Sequence, residues 1–98
     1  MIVDNLKSKR IEYMKAKDTL RLGVVRYLLS LIANKEIELR PSGEELTAEH
    51  VEKIIKREIK RRKEGMEVAE KAGRGDVVET EGAELGVFEE LVILVDSA

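Results

Sequence analysis

A chain of 98 residues is one small domain, able to bury only about 60 to 65% of its unfolded surface, with no room for a second. It contains no cysteine and no tryptophan, one phenylalanine and two tyrosines, which excludes disulfides, thiolate metal sites and cysteine nucleophiles and leaves an aliphatic core. The formal net charge of -2 conceals a segregation, because acidic residues stand at 76, 79, 81, 84, 89, 90 and 96 while no Lys or Arg follows position 76.

The abundance of Leu, Ile, Val, Ala, Glu, Lys and Arg favours helix, and four helical segments can be drawn. The first covers residues 4–17, with Asp4 as N-cap and Val3, Leu6, Tyr13 and Met14 on one side. Asp18 suits the N-cap of a second helix over 18–40, whose apolar residues cover more than half its circumference, as expected of a central helix. Pro41 and Gly43 break it. A third helix spans 47–73, opening on Thr47 with Glu49 in its first turn and closing on Gly73 in the left-handed conformation. The fourth spans 76–95, with Val78, Leu85, Phe88, Leu91, Val92 and Val95 on one stripe and Gly82 and Gly86 inside it. The pattern predicts an all-α, compact four-helix bundle-like domain over 1–98 with a long central second helix. VVRYLLSLIA and LVILV are too short or too charged to cross a bilayer, and the N-terminus lacks the order of a signal peptide, so a soluble cytoplasmic protein with no membrane contact is expected.

The stretch EKIIKREIKRRK, 52–63, carries the strongest charge. At about 100° per residue, Lys53, Lys56, Arg57 and Lys60 share one arc, with Arg61 and Lys63 at its margins, while Val51, Ile55, Ile59, Met66 and Ala69 gather opposite. Two readings compete. The arc either balances the acidic fourth helix through Glu79, Glu84 or Glu90, or stands in solvent as a face for a polyanion, with the acidic helix packed on the other side. Arg62 falls in the middle of the apolar arc, where a charge needs a partner. Glu81, on the apolar stripe of the fourth helix, is the first choice and Glu84, on its margin, the second, as an ion pair fixing the register of the two helices.

Nothing else in the sequence has a claim on chemistry. His50 is the one histidine, with no cysteine or second histidine to complete a metal site. Ser8, Ser30, Ser42 and Ser97 stand in no hydrolase setting, and Gly73 to Gly75 lacks the preceding strand of a phosphate-binding loop. No metal, no cofactor and no catalytic residue is expected.

Four blocks in order nevertheless carry a likeness: MKAKD (14–18) followed by Arg21 and Leu22; VRYLL (25–29) running into IANKEI (32–37); KRRKE (60–64); and KAGRGD (71–76) followed by Glu81 and AEL (83–85). On these the chain resembles the YqeY family, free-standing relatives of the tail domain of GatB, a subunit of the tRNA-dependent amidotransferase. The resemblance is to the N-terminal helical domain. Where such proteins continue through a Tyr-Leu-Pro junction into a second small domain, this sequence reads LVILVD (91–96). The resemblance implies a helical bundle and an association with tRNA or with tRNA-dependent amidation, a carbon-nitrogen ligase reaction with glutamine as amide donor. The residues supply no support for that chemistry in this chain. An alternative is a protein-interaction module, using Leu91, Val92, Ile93, Leu94 and Val95 or the acidic last helix as contact.

Overall fold

The computed structural model of the chain describes residues 2–96, and Ser97 lies outside them. It is all-helical, with α1 (Ile2–Lys15), α2 (Thr19–Leu39), a single 3₁₀ turn at Arg40–Ser42, α3 (Ala48–Lys71) and α4 (Gly75–Asp96), and no strand among the described residues. At 24 residues α3 is longer than the 21-residue α2, yet α2 is the element that meets all the others.

One device closes three of these helical segments. At Lys17, Gly43 and Gly73 the chain enters the left-handed region, with φ of 57°, 69° and 72°. In each case the next residue's N–H reaches back to a carbonyl five residues earlier, as from Asp18 to Tyr13 at 2.9 Å and from Arg74 to Ala69 at 2.8 Å, which satisfies orphan carbonyls of the last turn. Glycine does this without steric cost, whereas Lys17 holds the conformation at a cost of about 1 kcal/mol. The first helix therefore ends at Lys15 and not at 17. Its start is also earlier than expected, because Ile2 and Leu6 are both buried and draw the chain in as helix, leaving Asp4 inside the first turn.

The helices form two hairpins, α1 with α2 and α3 with α4, joined across α2 and α4. Leu6, Val25, Leu28, Ile32, Val51, Ile55, Phe88 and Leu91 are almost wholly shielded and form the core. The α3/α4 pair is the most extensive. Gly82 lets Met66 of α3 approach closely, since a Cβ there would stand 3.3 Å from Met66 Cε, while Gly86 opens onto free space. In LVILV, Leu91 and Val95 are buried in the domain's own core, Val92 and Leu94 are half-buried, and Ile93 is 67% exposed. The α2/α3 contact is slight, so a groove runs between these two helices.

Arg21 fastens the two hairpins. It donates to Glu90 of α4 through Nε (2.9 Å) and Nη2 (2.6 Å), and to the cap residue Asp18 through Nη1 (2.9 Å). The guanidinium holds the Glu90 carboxyl below its ordinary value, and the Arg21 backbone N–H, reinforced by the same guanidinium, does so for Asp18. A depressed carboxyl means that the unfolded chain takes up protons first. The stabilisation is thus full above the ordinary values of 4.5 and 3.8 and is lost as pH falls through the lower folded ones. Arg21→Ala is expected to be less stable than the parent near neutrality, and urea titrations should show the gap narrowing as pH drops below about 4. A gap that stays constant on acidification contradicts this role.

Candidate nucleic-acid interface

The basic helix begins with a reciprocal cap. Thr47 Oγ1 accepts from the His50 backbone N–H at 3.4 Å, and His50 Nδ1 accepts from the Thr47 backbone N–H at 2.9 Å. Histidine here fills the place that Glu or Gln takes in the usual capping box, a substitution that gives no signal in the sequence. The bond requires Nδ1 to be unprotonated, so the ring hydrogen of neutral His50 sits on Nε2.

From this start, Lys53, Lys56, Arg57, Lys60, Arg61 and Lys63 all emerge as exposed side chains. Of the α4 carboxylates that charge balance would assign to them, Glu90 pairs with Arg21 and Glu84 with Arg62, while Glu79 makes no ion pair within 4 Å among the described residues and so none with the stripe. Two of the six cations are tied down. Lys56 Nζ lies 2.7 Å from Glu52 Oε1, which pushes the Glu52 carboxyl down and the ammonium up. Asp96, at the end of α4, stands against Glu52, which raises the Asp96 carboxyl. Arg61 Nη1 turns toward the Tyr27 hydroxyl at 3.3 Å and Glu58 Oε1 at 3.4 Å. Among the described residues, Lys53, Arg57, Lys60 and Lys63 make no ion pair within 4 Å.

Lys53 and Arg57 lean toward α2 and form one wall of a groove of about 540 Å³. Asn34 and Lys35 of α2 stand opposite, and Leu31 and Ile54, both half-buried, supply apolar lining.

Beneath the inner end of the groove lies a charged cluster. Arg62 Nη1 donates to Glu81 Oε2 at 3.1 Å and to Glu84 Oε2, while its Nε faces Glu58 Oε2 at 3.6 Å. The guanidinium carbon stands 4.9 Å from the centroid of the Phe88 ring and 5.7 Å from that of Tyr27, within the range of cation–π attraction. The Tyr27 hydroxyl donates to Glu58 Oε1 at 3.2 Å, and its ring meets Phe88 edge-on. Only 14% of the Arg62 side chain and 7% of that of Glu58 remain exposed. Glu58 Oε2 and Arg62 Nε are buried without a hydrogen bond and hold one another by charge alone.

Sequence reasoning paired Arg62 with α4 and missed Glu58. The signal was present, since residues four apart on a helix differ by only about 40°, so Glu58 shares the inward face of Arg62. Among the described residues, no group of three or more His, Cys, Asp or Glu is arranged to hold a metal ion.

A family model described as Yqey-like protein matches residues 3–92. The chain belongs to this YqeY-like family. It is also similar to a protein of Lachancea thermotolerans described as altered inheritance of mitochondria protein 41, mitochondrial, at 37% identity over 86 residues. That match covers 88% of this chain and 45% of the relative, so the chain spans less than half the relative's length. The YqeY-like region takes in the Arg62 cluster, the α2/α3 groove and every cation of the stripe. No helix among the described residues is long and apolar enough to cross a membrane.

Arg62→Ala strands a buried carboxylate without its cation, and urea unfolding is expected to show a loss of about 3 kcal/mol. Arg57→Ala, on the solvated side of the same helix, should change stability by less than about 0.5 kcal/mol. Equal, small losses for the two variants would contradict a structural role for Arg62.

Proposed function

We propose that this YqeY-like chain is a non-catalytic docking module for RNA, with tRNA the first candidate, and that Lys53, Lys56, Arg57 and Lys60, flanked by Arg61 and Lys63, lie along its phosphates. The observation that carries the reading is that Lys53, Arg57, Lys60 and Lys63 stand in solvent without carboxylate partners among the described residues, on a helix whose opposite face is sealed against α4. A set of cations with no structural occupation is what counterion release from a polyanion uses. The likeness to the GatB tail supports tRNA as the polyanion. Amide transfer from glutamine would then be the work of a partner's active site, with this chain contributing the RNA contact. With one Phe and two Tyr in the chain, base stacking on aromatic rings is limited, so recognition is by shape and charge with weak sequence preference. A cysteine-free module of this kind suits a reducing compartment, and we assign it to the cytoplasm.

A second reading, a protein-interaction module, draws on Ile93, which stands 67% exposed between half-buried Val92 and Leu94. The two readings separate in one titration. Reversing Lys53, Lys56, Arg57 and Lys60 to Glu should weaken tRNA binding at least tenfold at low salt and lower the slope of log affinity against log salt by about 3. Unchanged affinity and slope in a folded variant would favour the protein-interaction module.

A further inference from the structure

The cations of α3 do not form one uniform surface. At about 100° per residue, Arg57 leans furthest toward α2, Lys53 and Lys60 lie within about 20° of one another on the crest, and Lys63 lies on the far flank. Lys53 and Arg57 line the groove, and Lys60, about two turns further along, does not. Across the groove, α2 adds Lys35, which sequence reasoning did not single out. His50 also lines it, and because Nδ1 is committed to the cap, the ring offers Nε2–H as a donor. The two carboxylates that border the groove are both engaged, Glu38 with Lys35 and Glu58 with Arg61, Arg62 and Tyr27. Two unpaired cations, Lys53 and Arg57, thus face Lys35, which shares its charge with the exposed carboxylate of Glu38 at 3.3 Å, over an apolar lining of Leu31 and Ile54.

The dimensions select the ligand. The lining on each helix extends over roughly 10 Å at about 1.5 Å per residue, and the volume of about 540 Å³ is that of a small-molecule pocket. Such a groove is too small to admit a duplex. It suits a short stretch of single strand, whose phosphates meet cations while an unstacked base rests on apolar side chains. We infer that the α2/α3 groove is a binding site for single-stranded RNA, with Lys35, Lys53 and Arg57 on the phosphates, His50 Nε2–H donating to the backbone, and a base against Leu31 and Ile54. The inference rests on the RNA-docking reading and assigns it a centre: the groove takes an unpaired segment, and the crest of α3 receives only the charge of neighbouring helical RNA.

The test compares two double variants with the same change in charge, Lys53→Glu/Arg57→Glu in the groove and Lys60→Glu/Lys63→Glu outside it. Both are first shown by circular dichroism to keep the parent's helicity. Fluorescence anisotropy then follows a short labelled oligoadenylate and a blunt RNA duplex on the full chain. The parent should bind the oligoadenylate more tightly than the duplex. The groove variant should lose about tenfold or more in oligoadenylate affinity, at least about threefold more than the outer variant loses. Excess adenosine monophosphate should leave the oligomer bound. Equal losses in the two variants, or tighter binding of the duplex, overturn the groove assignment while leaving the RNA reading standing. Displacement by the mononucleotide overturns the strand in favour of a free nucleotide. A parent chain that binds neither RNA overturns the RNA reading and the groove with it.

Discussion

Burying a guanidinium in a domain of this size is tolerable only if its charge is met on every side. Arg62 is met by Glu58 from its own helix, by Glu81 and Glu84 from α4, and by the faces of Phe88 and Tyr27. The partners come from α2, α3 and α4, so one side chain sets how three of the four helices sit together. A buried ion pair of this kind is not a large net source of stability, because desolvation offsets most of the attraction. Its effect is on register: sliding α3 by a turn along α4 would leave a guanidinium and at least one carboxylate buried without a partner.

This arrangement has a consequence for the surface. Arg62 and Arg21 together occupy Glu81, Glu84 and Glu90 of α4. The acidic helix is held by two arginines that are not part of the outer stripe, and four of the stripe's six cations, Lys53, Arg57, Lys60 and Lys63, are left without an ion pair among the described residues. Charge segregation along the sequence thus becomes charge segregation in space, with α4 packed on one side of α3 and the unpaired cations on the other. The slight contact between α2 and α3 adds a concave feature to the basic side, where a flat stripe would otherwise lie.

Much of this was legible from periodicity. The four helices, the break at Pro41 and Gly43 and the closure at Gly73 follow from rules that act within a few residues, and the angular place of Arg62 follows from helix geometry alone. What escaped were features set by tertiary context or by residues in unusual roles. Lys17 adopts a conformation that favours glycine, so the end of α1 carried no mark. Ile2 is helical because the core takes it in, which no local signal encodes. Glu58 was not singled out within a highly charged run, although its spacing to Arg62 puts both on one face of the helix. The groove was invisible, since it depends on how far α2 and α3 diverge, and Lys35 gained its place only with that divergence.

Arg62 and the α4 carboxylates act as a coupled unit holding α3 against α4. A double-mutant cycle between Arg62→Ala and Glu84→Ala, read by urea unfolding, measures that coupling apart from the cost of either truncation. The coupling free energy is expected to exceed about 1 kcal/mol, with the double variant less destabilised than the sum of the singles. Additivity within about 0.3 kcal/mol would contradict it.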